Sequence, residues 1–203
     1  MADGMRERLV VGVSGASGVI YAVRALAACR ELDVETHLVV SRAALLTLAQ
    51  ETSLTVADLT AKANVTYRVS DIGAMIASGS ARTIGMIIAP CSVRTMSEIA
   101  TGVTSSLLTR AADVTLKERR PLVLMVRETP LHLGHLRTMV QLAEMGAILA
   151  PPLPAFYAKP RDIADIVDQS VGRCLDLFGL SWDPVKRWDG MTVASAAAAD
   201  AAD

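Results

Sequence analysis

Aromatic residues and cysteines are scarce in this chain of 203 residues. Aromatic residues make up only 3% of the chain although 52% of it is hydrophobic, so the apolar mass consists of Ala, Val, Leu, Ile and Met. That mixture is typical of helices packed on a buried sheet. The three cysteines, Cys29, Cys91 and Cys174, form no CxxC pair and are odd in number, which argues against a disulfide framework. We therefore expect a reducing compartment, the cytoplasm.

Long apolar runs and net charge are also missing. No run reaches the roughly 18 apolar residues of a membrane span, and the formal net charge of −1 points to neither nucleic acid nor an anionic membrane. Arg6 and Arg8 precede an apolar stretch as in a signal peptide, but Gly12, Gly15 and Gly18 interrupt the core that such a peptide needs. A monomer this apolar has difficulty hiding its surface, so we expect a homo-oligomer larger than a dimer.

Short β-branched runs alternate along the chain with stretches of helical spacing. We predict strands over residues 9–13, 34–40, 86–89, 121–126 and 147–150. We predict helices over residues 19–30, 42–51, 92–100, 104–118, 129–145 and 161–178, with Pro90 ending a strand and an extended loop over 151–160. Residues 58–79 are predicted to hold a short helix, a short strand and a loop.

This alternation predicts an α/β fold, a Rossmann-like or flavodoxin-like three-layer sandwich with a mainly parallel sheet. No internal repeat or linker divides residues 1–190, which we interpret as a single domain. Residues 191–203 are of low complexity and are predicted to form a disordered tail.

The stretch GVSGASG, residues 12–18, lies between the first predicted strand and the first predicted helix. Glycines let a backbone approach a phosphate, and a helix start offers free N–H donors. The hydroxyls of Ser14 and Ser17 add further donors. The pattern is neither the dinucleotide fingerprint nor a P-loop. We predict that an anion binds at the start of this helix, with a plain strand–helix turn as the alternative.

Polar residues follow three other predicted strands. Ser41 comes after the second strand, APCSVRT (89–95) after the strand ended by Pro90, and Arg127 with Glu128 after a further buried strand. The carboxyl ends of strands line the ligand crevice of an open α/β sheet. Within APCSVRT, Cys91 has no base at a telling spacing, so a packed thiol is favoured over a nucleophile.

Cationic and hydroxyl side chains recur in the second half of the chain. Arg110 and Lys117 are seven residues apart and so share a helical face. Tyr157 lies in the proline-rich loop PPLPAFYAKP, and Arg173 lies on the helix after it. Each of these residues alone has an ordinary structural explanation.

Two patterns raise the question of a metal. His132 and His135 form HxxH without further ligands at zinc spacing. Asp162, Asp165 and Asp168 recur every three residues, where a solvated helix face is favoured over a magnesium site. No DDxxD-type cluster is present. We therefore predict no metal.

Five motifs occur together and in order: SGASG, Ser41, APCSVRT, RAADVTLKERRPLVLMVRETPLHLGHLR and PPLPAFY. In combination they closely resemble the flavin prenyltransferases, the UbiX-like family formerly described as aromatic-acid or 3-polyprenyl-4-hydroxybenzoate decarboxylases. The resemblance covers nearly all of residues 8–188. It implies a Rossmann-like homo-oligomer, commonly a dodecamer, that binds FMN between subunits.

The resemblance also implies an activity and a partner. Members of the family join the dimethylallyl group of dimethylallyl monophosphate to N5 and C6 of reduced FMN without a metal. The product, prenylated FMN, serves a partner decarboxylase that acts on aromatic or unsaturated acids.

Site residues are carried over motif by motif. The implied catalytic residues are Ser17, Glu51 and Glu128. The implied contacts of the prenyl phosphate are Arg110, Lys117, Tyr157 and Arg173. The implied FMN contacts are Gly15, Ala16, Ser17, Ser41, Ser92, Val93, Arg94, Thr95 and Arg127. Ser105 and Ser106 depart from the family pattern, in which many relatives carry Asp or Asn, so the FMN contacts at that turn stay open.

These residue types suit the implied chemistry. A monophosphate bound without metal needs several charged or hydroxyl donors. Positive charge that develops as the allylic C–O bond breaks can be stabilised by the π face of a reduced flavin. Glu128 or the released phosphate can then move protons.

Two alternative functions stay open at this point. A flavin-dependent cysteine-type decarboxylase usually carries a PASANT-like motif and an active-site His, where this chain has APCSVRT. A carrier subunit that only stores FMN needs no second phosphate pocket, so Lys117, Tyr157 and Arg173 argue against it.

Overall fold

A computed structural model describes residues 6–188 and residue 190. Six parallel strands form one sheet in the order β3-β2-β1-β4-β5-β6. The strands are β1 (Arg8–Val13), β2 (Glu35–Val40), β3 (Val65–Tyr67), β4 (Gly85–Cys91), β5 (Leu122–Val126) and β6 (Ile148–Leu149). The central strands β1, β4 and β5 are almost entirely buried, which explains why they read as continuous apolar runs rather than as alternating ones.

Helices cover both faces of this sheet. They are α1 (Ile20–Glu31), α2 (Arg42–Glu51), α3 (Val56–Thr60), α4 (Val93–Ala100), α5 (Leu107–Lys117), α6 (Leu133–Glu144) and α7 (Ile163–Leu175). Short 3₁₀ turns lie at Met75–Ala77, Phe156–Ala158 and Asp176–Phe178. On one face, α1 and α7 pack through residues such as Leu26 and Val171. On the other face, α4, α5 and α6 pack through residues such as Met96, Leu108 and Leu142.

This three-layer arrangement confirms the predicted fold class. The full strand order is that of a Rossmann fold, and without the short edge strand β3 the remaining order is that of flavodoxin. Strands β2 and β3 lie on one side of β1, and strands β4, β5 and β6 lie on its other side. The reversal lies between β1 and β4, so a ligand crevice is expected at the carboxyl ends of these two strands.

Several predicted boundaries differ in the structure. Pro90 does not end a strand: β4 continues through it to Cys91, and the pairing with β5 is irregular between Ile88 and Cys91. A proline is tolerated there because the ladder already lacks a regular hydrogen bond at that point. The predicted loop over 151–160 contains the 3₁₀ turn Phe156–Ala158.

Two helices also begin later than predicted. Helix α5 begins at Leu107 rather than at residue 104, because Ser106 caps it in a capping box with Thr109. Helix α6 begins at Leu133 rather than near Thr129, because the ring of His132 accepts the first free backbone N–H groups. The predicted tail over 191–203 lies outside the described residues, and the single domain over 1–190 stays a prediction.

Candidate active site

A cavity of about 430 Å³ opens where the strand order reverses. Its wall includes five of the predicted FMN contacts: Gly15, Ser41, Ser92, Arg94 and Thr95. These residues follow β1, β2 and β4, so the parallel topology brings together segments that are far apart in sequence. The cavity has the position expected of the ligand crevice of a doubly wound sheet.

Three helices begin at this cavity. Ser41, Ser92 and Ser106 are the N-caps of α2, α4 and α5, and all three line it. Each hydroxyl accepts a hydrogen bond from the backbone N–H three residues later, over 3.2–3.4 Å. Helix starts carry partial positive charge and free N–H groups, so three of them around one cavity make it suited to an anion such as a phosphate.

Close packing between the first two loops depends on glycine. A Cβ atom on Gly15 would overlap the Cβ atom of Ala43, at the start of α2. The turn after β1 therefore lies directly against the start of α2. This contact shapes the cavity wall, to which both residues belong.

Ser14 holds the floor of the cavity together and was wrongly predicted to face a ligand. It is buried, and its hydroxyl donates to the carbonyl oxygen of Pro90 over 2.9 Å. The hydroxyl oxygen of Ser14 in turn accepts a hydrogen bond from the backbone N–H of Ser92 over 2.7 Å. Ser14 thus joins the loop after β1 to the loop after β4, and its hydrogen-bonding groups are occupied by protein.

The start of α1 is occupied by a carboxylate of the protein itself. Glu51, the last residue of α2, accepts hydrogen bonds from the backbone N–H groups of Gly18 and Val19 over 2.8 and 3.0 Å. The prediction of an anion at this helix start therefore conflicts with the structure, in which Glu51 occupies these two donors. The starts of α2, α4 and α5 line the cavity instead.

The electrostatics of Glu51 favour its ionised form. Partial burial raises the pKa of its carboxyl, but the Ser17 hydroxyl, the two backbone N–H groups and the positive charge of Arg127 together outweigh burial and hold the pKa below its usual value. Arg127 also lowers the pKa of Tyr21, which burial raises more strongly. Ser17, Glu51 and Arg127 thus form one cluster next to the start of α1.

Glu128 lies beside this cluster in sequence and is exposed. Its carboxylate accepts a hydrogen bond from the backbone N–H of Thr129 over 2.9 Å. The backbone N–H of Arg127 donates to the carbonyl oxygen of Cys91 over 3.0 Å, which ties the end of β5 to the end of β4. Of the other predicted FMN contacts, Ala16 is buried and Val93 is half-buried.

Arg110 and Lys117 flank one loop, residues 77–81. The Arg110 Nε atom donates to the carbonyl oxygen of Ala77 over 3.3 Å. Lys117 pairs with Glu118, and a Cβ atom on Gly79 would lie 2.6 Å from the Lys117 Nζ atom. Sequence reasoning did not single out this loop, although its Ser-Gly-Ser core was a signal that a small, close-packed turn lies there.

Tyr157 and Arg173 lie on the opposite face of the sheet, with α1 and α7. Gln169 of α7 donates to the Tyr157 hydroxyl over 3.3 Å, and Arg173 pairs with Asp176. Within residues 6–188, no hydrogen bond or ion pair joins this pair to Arg110 or Lys117 on α5. The four predicted phosphate contacts thus form two groups in a single chain.

The cysteine, histidines and aspartates that were considered as a nucleophile or as metal ligands have structural roles. Burial raises the pKa of the Cys91 thiol to about 12, which suits packing and not nucleophilic attack. The rings of His132 and His135 stack with centroids 3.6 Å apart, and His132 caps α6. Asp162 caps α7, Asp165 pairs with Arg161, and Asp168 binds Arg24. In the described part of the chain, no three potential metal ligands group together.

Comparison with known proteins decides the family. The model of the family described as Flavoprotein matches residues 2–175. The flavin prenyltransferase UbiX of Escherichia coli (strain K12) is 55% identical over 187 residues, which are 91% of this chain and 99% of that protein. The chain belongs to the UbiX-like family of flavin prenyltransferases.

Solved structures agree with this membership. A crystal structure of AnUbiX (PadA1) in complex with FMN and dimethylallyl pyrophosphate has a TM-score of 0.91 and 46% identity, and the match covers 93% of this chain and all of that one. The dodecameric FMN-dependent UbiX-like decarboxylase of Escherichia coli O157:H7 has a TM-score of 0.88 and 46% identity, over 90% of this chain and all of the other.

Membership in the flavin prenyltransferases confirms the resemblance seen in the motifs and makes the chain a prenyltransferase. It does not favour the cysteine-type decarboxylase or the carrier subunit. Among the described residues, no helix is long and apolar enough to cross a membrane.

Proposed function

We propose that this prenyltransferase joins the dimethylallyl group of dimethylallyl monophosphate to N5 and C6 of reduced FMN, giving prenylated FMN. Three helix starts around one cavity, with the cluster of Ser17, Glu51 and Arg127 nearby, carry the proposal. A phosphate-bearing flavin fits such a donor set, because its anionic end needs N–H groups and its ring needs an adjacent polar wall. The complex of AnUbiX with FMN and dimethylallyl pyrophosphate supports the choice of ligands.

The FMN phosphate belongs in the cavity rather than at α1. Ser41 and Ser92 cap their helices with the side-chain oxygen as acceptor. The Ser92 hydroxyl also donates to Thr95, whereas the Ser41 hydroxyl donates to none of the described residues and can therefore point to a ligand. Gly15 contributes backbone that can approach closely. Glu98 also lines the cavity, where its carboxylate binds Arg94 and the Ser105 hydroxyl. Ser105 and Ser106 therefore shape the cavity at the turn where this chain departs from many relatives.

The side chains of the chain account for departure of the phosphate and movement of a proton. Reduced FMN supplies an electron-rich ring that accepts the prenyl group. As the allylic C–O bond breaks, negative charge grows on the leaving phosphate, and Arg110, Lys117 and Arg173 with the Tyr157 hydroxyl stabilise it. Formation of the bond from N5 to the prenyl carbon displaces the proton on N5, and either Glu128, which is exposed next to Arg127, or the released phosphate takes up that proton. Glu51, held ionised, fixes the position of the Ser17 turn.

Two subunits supply the prenyl-phosphate site. Arg110 and Lys117 lie on α5, and Arg173 lies on α7 behind the sheet, so one phosphate contacts all of them only if a neighbouring chain provides the second group. Large apolar side chains are exposed on α6, at Leu133, Leu136 and Val140, and near Tyr157, at Leu153 and Phe156. These surfaces support a homo-oligomer, and the dodecameric UbiX-like protein of Escherichia coli O157:H7 supports a dodecamer.

The product serves a partner decarboxylase that acts on aromatic or unsaturated acids, and the cytoplasm is the compartment for both proteins. Three reduced and buried cysteines support that compartment. The partner proposal stands on family membership.

Anaerobic incubation with reduced FMN and dimethylallyl monophosphate tests the proposed reaction, followed by mass spectrometry of the extracted flavin. We expect a flavin heavier by one dimethylallyl unit, formed also when EDTA is present. Flavin of unchanged mass, from protein that binds FMN normally, would instead support the FMN-storing carrier.

A further inference from the structure

Residues 180–188 form a segment, here called the C-terminal strap, that lies across α1 and α7. Three of its side chains, those of Leu180, Trp182 and Val185, are buried in the core on that face. The Trp182 indole donates to Glu31 over 2.6 Å. A Cβ atom on Gly172 would overlap Val185, so α7 leaves room for the strap at that position. The strap is therefore a packed part of the fold.

The first connection from the strap runs to Tyr157. Gln169 of α7 is only 5% exposed, and its amide makes three hydrogen bonds. Its oxygen accepts from the backbone N–H of Lys186 over 3.0 Å. Its nitrogen donates to the carbonyl oxygen of Lys186 over 2.8 Å and to the Tyr157 hydroxyl over 3.3 Å. One buried amide thus links the strap backbone to a predicted substrate-binding hydroxyl.

The strap also contacts the ring of Tyr157. The Trp188 and Tyr157 rings are 5.9 Å apart between centroids and meet edge to face at 83°. Such a pair fixes the ring plane in addition to burying area. Tyr157 is 47% exposed, so without these two contacts its side chain would sample several rotamers.

The second connection runs to Arg173. The Arg187 guanidinium binds the Asp176 carboxylate in a bidentate manner, over 2.6 and 2.8 Å. The same carboxylate accepts from Arg173. Arg187 therefore holds Asp176 in the position from which Asp176 orients Arg173.

We propose that the C-terminal strap positions the prenyl-phosphate site, holding Tyr157 through Gln169 and Trp188 and holding Arg173 through Arg187 and Asp176. The proposal rests on the proposed function, in which Tyr157 and Arg173 contact the phosphate. Gln169, Asp176, Arg187 and Trp188 are positioning residues, because they act through those two side chains.

The physical benefit is preorganisation. A phosphate that binds mobile side chains must first restrict their rotamers, which weakens binding. The contacts from the strap restrict Tyr157 and Arg173 before the phosphate arrives. Loss of a connection should therefore raise the KM for dimethylallyl monophosphate while the affinity for FMN, which binds at the starts of α2, α4 and α5, stays the same.

The Tyr157 connection is tested by a double-mutant cycle with Gln169→Leu, Tyr157→Phe and the double variant. Each single substitution should raise the KM for dimethylallyl monophosphate by roughly three- to tenfold, the size expected for loss of one hydrogen bond. In the Tyr157→Phe background, Gln169→Leu should change that KM by less than about twofold, because its target hydroxyl is already gone. If the KM change of the double variant equalled the product of the two single changes, the proposal would be overturned, because Gln169 would then act independently of Tyr157.

The Arg173 connection is tested at an exposed residue, where folding is not at risk. Arg187→Gln should raise the same KM by a few-fold and leave kcat and the FMN Kd unchanged. Asp183→Asn, an exposed change on the same strap, is the matched control and should behave as wild type. The proposal would be contradicted if the KM stayed unchanged in both Arg187→Gln and Gln169→Leu. It would also be contradicted if the variants lost affinity for FMN and for the prenyl phosphate equally.

The same set of variants separates the two proposals. If Tyr157→Phe and Arg173→Ala leave the KM for dimethylallyl monophosphate unchanged, the assignment of these residues to the phosphate is wrong and the strap inference falls with it. If they raise the KM but the Gln169 and Arg187 variants do not, only the strap inference is wrong.

Discussion

The two proposed phosphate-binding regions of this molecule differ in how much of each lies in one chain. The FMN cavity collects the starts of α2, α4 and α5 from segments between Ser41 and Ser106, all joined by the parallel sheet. The prenyl-phosphate residues form two groups on opposite faces of that sheet, Arg110 with Lys117 and Tyr157 with Arg173. The fold alone assembles the first region, whereas the second, as proposed, needs contact between subunits.

This difference separates two kinds of functional residue. Residues at strand ends are brought together by topology, so a substitution there affects a site that every chain carries. The proposed prenyl-phosphate residues depend on the assembly, so we expect a substitution there to affect turnover and to leave FMN binding unchanged. Each variant below compares the two regions by measuring FMN binding and prenyl transfer on the same protein.

The largest effect is expected for Glu128→Gln. The amide keeps the shape of the carboxylate and removes its proton chemistry, so turnover should fall by roughly 10²- to 10⁴-fold while FMN affinity stays near wild type. FMN fluorescence titration and single-turnover product analysis measure the two quantities. Product formation at the wild-type rate would end the assignment of Glu128 as a catalytic residue.

A smaller effect is expected for Arg173→Ala. Loss of one charge-assisted contact costs about 1.5–3 kcal/mol, so affinity for dimethylallyl monophosphate should fall by about ten- to a hundred-fold. FMN affinity should change little, and added magnesium should not restore the prenyl-phosphate affinity. If titration shows both ligands weakened equally, Arg173 supports the fold and the picture of two regions is wrong.

Disrupting the assembly should separate the regions further. Leu136→Asp places a charge on the exposed apolar face of α6, and we expect a smaller native mass by light scattering. Prenyl transfer should fall by more than FMN affinity falls. The control is Ala57→Asp, an added charge at an exposed position on α3. If Leu136→Asp stayed fully assembled, or lost FMN affinity and prenyl transfer equally, the proposed difference between the two regions would be contradicted.

The smallest effect is expected for stability at Glu51. The pKa of its carboxyl is lowered in the folded protein, so the stabilisation is present above its usual value of 4.5 and is lost as pH falls through the folded value. Glu51→Gln should therefore lower stability at pH 7 by about 0.3–1 kcal/mol. In thermal melts the difference from wild type should shrink below roughly pH 4.5. Glu7→Gln, an exposed carboxylate outside the site, is the control; a difference that grows in acid would contradict this account.

The sequence predicted the alternation of strands and helices for two reasons. Buried parallel strands are continuous apolar runs, and the apolar residues of a packed helix recur every three to four residues. It did not predict that Glu51 fills the start of α1, since that contact spans 33 residues in sequence. Local signals also compete at helix starts: the helices predicted to begin near Thr104 and Thr129 begin later, after the caps Ser106 and His132. The sequence also did not predict that the loop at Gly79 packs against Lys117, because that contact joins residues far apart in the chain.

Subunit complementation tests most directly whether the second region is shared between chains. Lys117→Ala and Arg173→Ala each disable one group, so each homo-oligomer should be inactive at low dimethylallyl monophosphate. After the two variants are dissociated and reassembled at equal amounts, about a quarter of the sites should combine an intact Lys117 with an intact Arg173 from the neighbouring chain. We predict that activity rises to roughly that fraction of wild type. Activity that stays at the level of the single variants, in oligomers shown by mass spectrometry to be mixed, would contradict the account.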